Sequence, residues 1–428
     1  MRLLYLCLAH CLLPIAFLRE LWRAFRHPEY RAGLTARLGC GARLAPGALW
    51  VHAVSVGEVQ AAGPLLRRLA AEYPARPLVL TVATATGRVR ALALYGSIAQ
   101  VRYLPYDVPG CVWRFLDRVT PTVGVILETE LWPTLYRACE RRQIPLLVAS
   151  ARLSERSVRR YRRMPRFTAQ LLGAPHVSVA AQTATDAARF QALGAVPART
   201  CVVGNVKYDQ SVPVAERAQA SARRATLGIS RPIWVAGSTH EGEESVVLEA
   251  HRTVLARFPN ALLVLAPRHP PRFETVAQWL GHSGLSFVRR SQATEVSPQA
   301  AVFLLDTLGE LVGYYAAADI AFVGGSLVPI GGHNLLEPLS VQCPVLSGPS
   351  TENDAATAAW LVAAGALRTV VDATTLAEAV IARCTDPAAG RVAVAAGMAV
   401  LDANRGAVER VLATLRPLIG RADRFSGR

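Results

Sequence analysis

Residues 49–70 read LWVHAVSVGEVQAAGPLLRRLA. A short apolar run, Leu49 to Ala53, breaks at Ser55-Val56-Gly57-Glu58 and resumes as an amphipathic stretch, Val59 to Ala70, whose spacing predicts a helix. A buried strand feeding a helix through a glycine turn is the repeating unit of a parallel α/β sheet. The same alternation continues along the chain, predicting strands at Leu78 to Val82, Thr122 to Leu127, Pro145 to Ala149 and His176 to Ala180. A second series is predicted at Ile233 to Ala236, Ala261 to Leu265, Ala301 to Leu305, Ile320 to Val323 and Pro344 to Leu346. Between the series, Val202 to Glu216 carries Gly204, Asn205 and Pro213 and reads as a linker. Two doubly wound α/β domains facing each other are therefore expected, with ligands beyond the carboxyl ends of the strands. Neither G-x-G-x-x-G nor G-x-x-x-x-G-K-[ST] occurs, which weighs against dinucleotide and P-loop chemistry.

The chain is 428 residues long, 52% hydrophobic and 18% charged, which excludes a single small module and a disordered polymer. Its eight cysteines form no C-x-x-C pair, which argues against a disulfide scaffold and a structural zinc site and fits a reducing compartment. Lysine plus arginine total 47 against 31 acidic residues, a net charge of +16, so an anionic partner is expected. Lys207 is the only lysine. The plain reading is a GC-rich coding bias that happened to leave one lysine. A lysine kept against that bias points to a position that needs a compact ammonium, which arginine's planar fork does not replace.

Leu3 to Leu18, LLYLCLAHCLLPIAFL, is apolar apart from His10 and is interrupted by Pro14, a little short of the ~20 residues of a straight bilayer span. Arg19, Arg23, Arg26 and Arg31 follow it, interleaved with Leu21, Trp22, Phe25 and Tyr30, and only Arg2 precedes it. That bias holds the body of the protein on the cytoplasmic side and speaks against a cleaved signal peptide. A signal anchor or interfacial helix meeting anionic headgroups is expected, with a docked helix as the plain alternative.

Glu58 sits in a glycine-opened turn at a helix start. S-x-x-E is also a capping box, so the spacing serves a structural cap and a general base alike. As a base, Glu58 would be held ionised by the helix dipole. The strand at Thr122 to Leu127 ends in Glu128-Thr129-Glu130, and Pro133 is placed to start a helix with Thr129 or Glu130 in its cap. In the second half, Ala236-Gly237-Ser238-Thr239-His240-Glu241-Gly242-Glu243 repeats the strand, glycine turn and acidic helix start. Pro267-Arg268-His269-Pro270 follows the next strand, with Arg268 suited to a phosphate. Asp306 to Leu311 opens another helix start. Val323 to Pro338, VGGSLVPIGGHNLLEP, packs Gly324, Gly325, Gly331 and Gly332 between a strand and a helix. Its backbone N–H groups are expected to meet a phosphate, Asn334 to cap the helix, and Glu337, about one turn in, to accept ribose hydroxyls.

Taken in order, WVHAVSVGE, ILETELWP, ARLSERS, GNVKYD, AGSTHEGEE, APRHPPRF, DTLGEL, VGGSLVPIGGHNLLEP and GPSTEN resemble the 3-deoxy-D-manno-oct-2-ulosonic acid (Kdo) transferases of lipopolysaccharide biosynthesis, over nearly the whole chain. The resemblance implies a GT-B fold of two Rossmann-like domains. It divides the chain into an anchor helix at 1–30, an acceptor domain at 31–204, a linker at 205–216, a CMP-sugar domain at 217–400 and a C-terminal helix at 401–428 that crosses back to the first domain. It implies an inverting, metal-independent transfer of Kdo from CMP-Kdo to a tetraacylated lipid A precursor, with no cofactor, at the cytoplasmic face of the inner membrane. By motif, Glu58 corresponds to the general base, and Glu128 and Lys207 to residues that stabilise the transition state. Pro267, Arg268, Leu308, Gly309, Glu310, Asn334, Leu335, Leu336 and Glu337 correspond to CMP contacts, with Glu130, Ser238, His269, Gly331 and Gly332 as further candidates. The chain departs from the family pattern at Ser150, where Asn is usual, and at Ser350 and Asp354, where His and Phe are common. The readings set against this one are a GT-B enzyme using a UDP-sugar and a non-enzymatic basic protein binding nucleic acid or anionic membrane. The arginines are dispersed outside the N-terminus and Arg156 to Arg166, which disfavours nucleic acid as a partner.

Overall fold

The computed structural model describes residues 2–26, 33–210, 214–293 and 295–425. Tyr30, Arg31 and Pro213, and the side chain of Arg26, lie outside the described residues. The chain divides into two compact units, residues 1–210 with 404–428, and residues 211–403.

The first unit is built on seven parallel strands: β1 (Ala48–His52), β2 (Leu78–Val82), β3 (Gln100–Tyr103), β4 (Pro121–Leu127), β5 (Leu146–Ala151), β6 (Val177–Ala181) and β7 (Thr200–Val202), in the order β3-β2-β1-β4-β5-β6-β7. The second unit repeats the plan with β8 (Ile233–Thr239), β9 (Leu262–Pro267), β10 (Phe287–Arg289), β11 (Val302–Leu304), β12 (Ile320–Val323), β13 (Val345–Ser347) and β14 (Leu367–Thr369), in the order β10-β11-β9-β8-β12-β13-β14. Both sheets are doubly wound. Strand order reverses between β1 and β4 in the first sheet and between β8 and β12 in the second. These switch points open the crevices in which such sheets take ligands.

All ten strands expected from the sequence are present. The four it missed, β3, β7, β10 and β14, are the four sheet edges. Central strands are covered on both faces and read as continuous apolar runs, as the five buried residues of β1 do. An edge strand is short and half exposed, like Thr200-Cys201-Val202, and its sequence has no such run. Within β1 the faces alternate: Leu49 and Val51 enter one core layer, Ala48 and Trp50 the other.

Three local expectations are corrected. The segment Val202 to Glu216 is not a simple linker. It contains the end of β7, a 3-10 turn at Val206–Asp209 and the start of a helix, Val214–Leu227. Asn205 caps that 3-10 turn, whose Val206 joins the first core and whose Tyr208 is also buried. The helix Pro133–Arg141 is not capped by Thr129 or Glu130, since its Thr134 and Leu135 N–H groups donate to the Asp107 carboxylate at 2.9 and 2.8 Å. Lastly, the N-terminal helix is not short, because Arg2–Arg26 runs unbroken through Pro14.

The C-terminal helix Ala407–Phe425 packs in the first unit, its Val408, Val411, Leu412, Leu415 and Ile419 against the β1 side of that core. Asp209 caps it, accepting from the N–H groups of Gly406 and Val408. All eight cysteines are free.

Candidate active site

At the first switch point, β1 leads to Glu58 and β4 to Glu128. Glu58 is the third residue of the helix Val56–Ala61, whose cap is Ser55. Its carboxylate accepts from the Val54 N–H at 2.8 Å and the Ser55 hydroxyl at 3.1 Å, while Ser55 Oγ accepts from the Glu58 N–H at 3.3 Å. The cap is therefore real, with Val54 rather than Ser55 supplying the backbone donor. It does not hold the group ionised at low pH. Burial pushes Glu58 up from the ordinary 4.5 to about 7, with the Glu128 charge adding to the rise, and the cap bonds and Lys207 only partly oppose it. A carboxyl poised there is suited to general base chemistry near neutrality.

Glu128 follows β4 directly with φ at +57°, a left-handed conformation uncommon for a residue with a side chain. Leaving the strand in this way sends its carboxylate to Lys207, 3.0 Å from Nζ to Oε1. Lys207 lies in the 3-10 turn after β7, its N–H held at 3.0 Å by the Asn205 side chain. The sole lysine thus reaches the carboxyl end of the central strands from the far edge of the sheet. Glu130 joins the group electrostatically. Burial lifts it to about 7, the Glu58 charge adds to this, and Arg160 opposes it. Ser150, the first departure from the family pattern, also has a left-handed φ of +51° at the end of β5, and its Oγ and carbonyl O accept from Gln182 at 3.3 and 3.0 Å.

In the second unit the loops after β8, β9, β11 and β12 carry the remaining candidates. Ser238 has φ +58° at the end of β8. Pro267 ends β9 and Arg268 follows it. No ion pair engages Arg268 among the described residues, whereas nearby Arg272, Arg289 and Arg290 are all paired. Leu308 is exposed, Gly309 has φ +89°, and Glu310 is drawn to Arg290 at 3.0 Å. Asn334 Oδ1 accepts from the Leu336 N–H at 3.1 Å, and its amide lies 3.4 Å from Glu337. Leu335 and Leu336 are buried, and Glu337 is the second residue of the helix Leu336–Ser340 rather than a turn in.

Part of the glycine-rich loop spends the N–H groups expected to meet a phosphate on acceptors inside the protein. The Glu243 carboxylate, completely buried, accepts from the N–H groups of Gly325 (2.7 Å), Ser326 and Leu327 (both 2.9 Å), and from His240 N–H (2.9 Å). Gly332 N–H is taken by Gly325 O at 2.7 Å and Gly331 N–H by Ser350 Oγ at 3.0 Å. The anion held by the Gly325 to Leu327 turn is thus internal, supplied by the acidic helix start after β8. Ser350, another departure from the family pattern, braces the loop instead.

The sequence reading passed over two histidines. His240 follows β8 and His333 lies in the glycine loop, and their Nε2 atoms are 2.8 Å apart. His269, a candidate from sequence, stands edge-on to His240 with ring centroids 5.2 Å apart. Each histidine follows a predicted strand in a quoted motif, and that position at a carboxyl end was the available signal. Among the described residues no group of three His, Cys, Asp or Glu side chains is placed to hold a metal ion.

Two seven-stranded parallel sheets, each with candidate side chains at its switch point, define a GT-B protein. Fold comparison agrees: the UDP-GlcNAc 2-epimerase of Neisseria meningitidis aligns with a TM-score of 0.58 at 14% identity, covering 87% of this chain and 100% of its own. A Listeria monocytogenes structure described as a UDP-N-acetylglucosamine 2-epimerase aligns at 0.56, with 16% identity over 90% of this chain and 98% of its own. Residues 30–210 match the family described as 3-deoxy-D-manno-octulosonic-acid transferase (kdotransferase). The enzyme of that name from Haemophilus influenzae is 39% identical over 400 residues, 92% of this chain and 93% of its own length. The Bordetella pertussis enzyme is 37% identical over 418 residues, 94% and 95% of the two chains. The chain belongs to the 3-deoxy-D-manno-octulosonic acid transferase family.

Proposed function

We propose that the protein is a glycosyltransferase that moves Kdo from CMP-Kdo to a lipid A precursor in lipopolysaccharide assembly, with inversion at the anomeric carbon. The observation that carries the reading is Glu58, poised near neutrality in the unit that also brings Lys207 onto Glu128. Glu58 takes the proton of the acceptor sugar hydroxyl as that oxygen attacks the anomeric carbon. The bond to the phosphate oxygen breaks and CMP leaves with the bonding pair. Lys207, its ammonium oriented by Glu128, offers fixed positive charge to the developing anion. Glu128 offers negative charge to an oxocarbenium-like centre. The second unit is assigned the donor, with Arg268 on the phosphate and the segments Leu308 to Glu310 and Asn334 to Glu337 on the nucleoside. Incubation with CMP-Kdo and tetraacylated precursor is expected to yield CMP and a lipid heavier by one or more Kdo residues. No such product, or protection of the fold by UDP in place of CMP, overturns the reading.

The N-terminal helix is proposed to lie in the plane of the inner leaflet rather than to cross it. Tyr5–Phe25 is long and apolar enough to span. Yet Tyr5 donates to Asp107 at 2.6 Å, and Glu20 and Ala24 are buried against the same unit. Tyr5 and Ala24 are about 28 Å apart along the helix, close to the whole hydrocarbon thickness. A helix fastened at both ends to a folded unit does not also cross the bilayer. Its other side shows Leu8, Leu12, Ile15, Trp22 and Phe25, an apolar stripe at helical spacing. In sealed vesicles an N-terminal epitope is expected on the same side as the body of the protein, and its recovery on the opposite side refutes the in-plane placement.

A further inference from the structure

The carboxyl edge of the second sheet holds a group to which the reaction as described gives no part. His240 and His333 come from the loops after β8 and β12, the two strands that flank the switch point. Their Nε2 atoms are 2.8 Å apart, with ring centroids at 5.0 Å and planes within 12°. That geometry is edge to edge, in one plane, so one Nε2–H donates into the lone pair of the other. Two neutral rings satisfy it with one proton between them. The titratable and charged groups facing the pair are His269, Arg268, Arg272 and Glu243. Arg272 is neutralised by Glu241 and Glu244, and the Glu243 carboxylate is saturated by four backbone N–H groups. The uncompensated charge beside the imidazoles is Arg268. Gly325 completes the setting: at φ +68° a Cβ there would stand 2.9 Å from the His333 ring, so the backbone follows the pair at a distance no side chain permits.

We infer that His240 and His333 form a proton-accepting seat for the donor phosphate, which takes up one proton from solvent when the phosphate arrives beside Arg268. In the free protein, burial chiefly keeps both rings neutral, aided by Arg268 at His333 and by His269 and then Arg268 at His240, with His333 lowered to about 3 and His240 also lowered. An entering phosphate reverses the local field and offsets Arg268. A proton added to the pair then becomes a second cation shared by two rings, and the N–H groups at its rim turn to the phosphate oxygens. When CMP leaves, the proton returns to solvent. The seat gives the site an affinity for charged phosphate that a neutral nucleoside does not draw on.

The inference rests on the assignment of the donor to this unit, and the test separates the two. CMP and cytidine are titrated calorimetrically from pH 6 to 9 into the full-length wild type, His333→Asn and His240→Gln, after each variant is shown to melt within a few degrees of wild type. Two variants are used so that a folding defect in one leaves the test intact. CMP affinity of the wild type is expected to fall with pH more steeply than that of either variant, by about one further tenfold per pH unit where the pair releases its proton. At pH 6.5 both variants are expected to bind CMP at least about tenfold more weakly, as the loss of a charge-assisted bond implies, and cytidine unchanged. Parallel CMP profiles in wild type and variants overturn the seat while leaving the donor assignment standing. An equal loss of cytidine affinity also overturns it, by showing that the pair only packs the loop. Failure of the wild type to bind CMP at any pH removes the donor assignment and this inference together.

Discussion

Replacing Glu58 with Gln separates a helix cap from a buried carboxylate, because the two roles predict opposite effects on stability. Gln keeps one acceptor for the Val54 N–H and loses the second oxygen that meets Ser55. Losing that bond costs about 1 kcal/mol at any pH. The carboxyl itself is raised from 4.5 to about 7, chiefly by burial. For an acid with a raised folded value, the unfolded chain releases its proton first. Folding stability therefore falls as pH climbs from about 4.5 to about 7 and stays lowered above that window. At 1.36 kcal/mol per unit the deficit in the wild type at pH 8 is about 3 kcal/mol as an upper figure. Glu58→Gln removes the deficit, so the variant is expected to be about 2 kcal/mol more stable than wild type at pH 8 and about 1 kcal/mol less stable at pH 4. In a unit of this size the pH 8 gain corresponds to roughly 4 °C or more in melting temperature. Melting the first-unit transition of both proteins at the two pH values is the assay, and a crossover in sign is the expected result. A variant destabilised equally at both values would refute the reasoning, since Glu58 would then be a cap whose charge meets no resistance.

Lys207→Arg is expected to keep CMP affinity within about twofold while lowering transfer about 100-fold, because a planar fork does not reproduce an ammonium held at 3.0 Å from Glu128. Single-turnover rates and CMP titration check the two halves. Glu128→Gln removes the charge that helps raise Glu58, so the acidic limb of the transfer rate is expected to move down by on the order of one pH unit. A limb that stays in place shows that the two carboxylates do not communicate. Glu243→Ala leaves four backbone N–H groups, three in the glycine loop and that of His240, without their acceptor and is expected to cost about 3 to 5 kcal/mol, read as a large drop in melting temperature together with lost CMP binding.

The central strands were legible because a strand buried on both faces must be apolar throughout, whatever its neighbours. The edges were not, since Gln100-Val101-Arg102-Tyr103 reads as loop until the sheet supplies β2 on one side. At the site, Glu58, Glu128 and Lys207 were visible as residue types at turns after strands, and the lone lysine stood out against 46 arginines. The titration of Glu58 was hidden, because the dipole argument sees only its own helix, while burial and Glu128, seventy residues on, decide the outcome. The glycine loop misled for the same reason. The N–H groups of Gly325, Ser326 and Leu327 are open to a phosphate by local geometry, and only the packing of β8 beside β12 reveals that Glu243 already takes them. His240 and His333 are 93 residues apart, and no spacing rule in the sequence joins them.

The central claim, that Glu58 is the base for transfer, is tested most directly by following transfer to the lipid A precursor at pH 8 in wild type and Glu58→Gln, with CMP affinity measured on the same preparations. The expected result is CMP affinity within about twofold and transfer lowered by roughly 10²- to 10⁴-fold, the range that loss of a positioned general base produces. Transfer by Glu58→Gln at near wild-type rate would contradict it, leaving Glu58 as a helix cap and moving the search to Glu128 and Glu130.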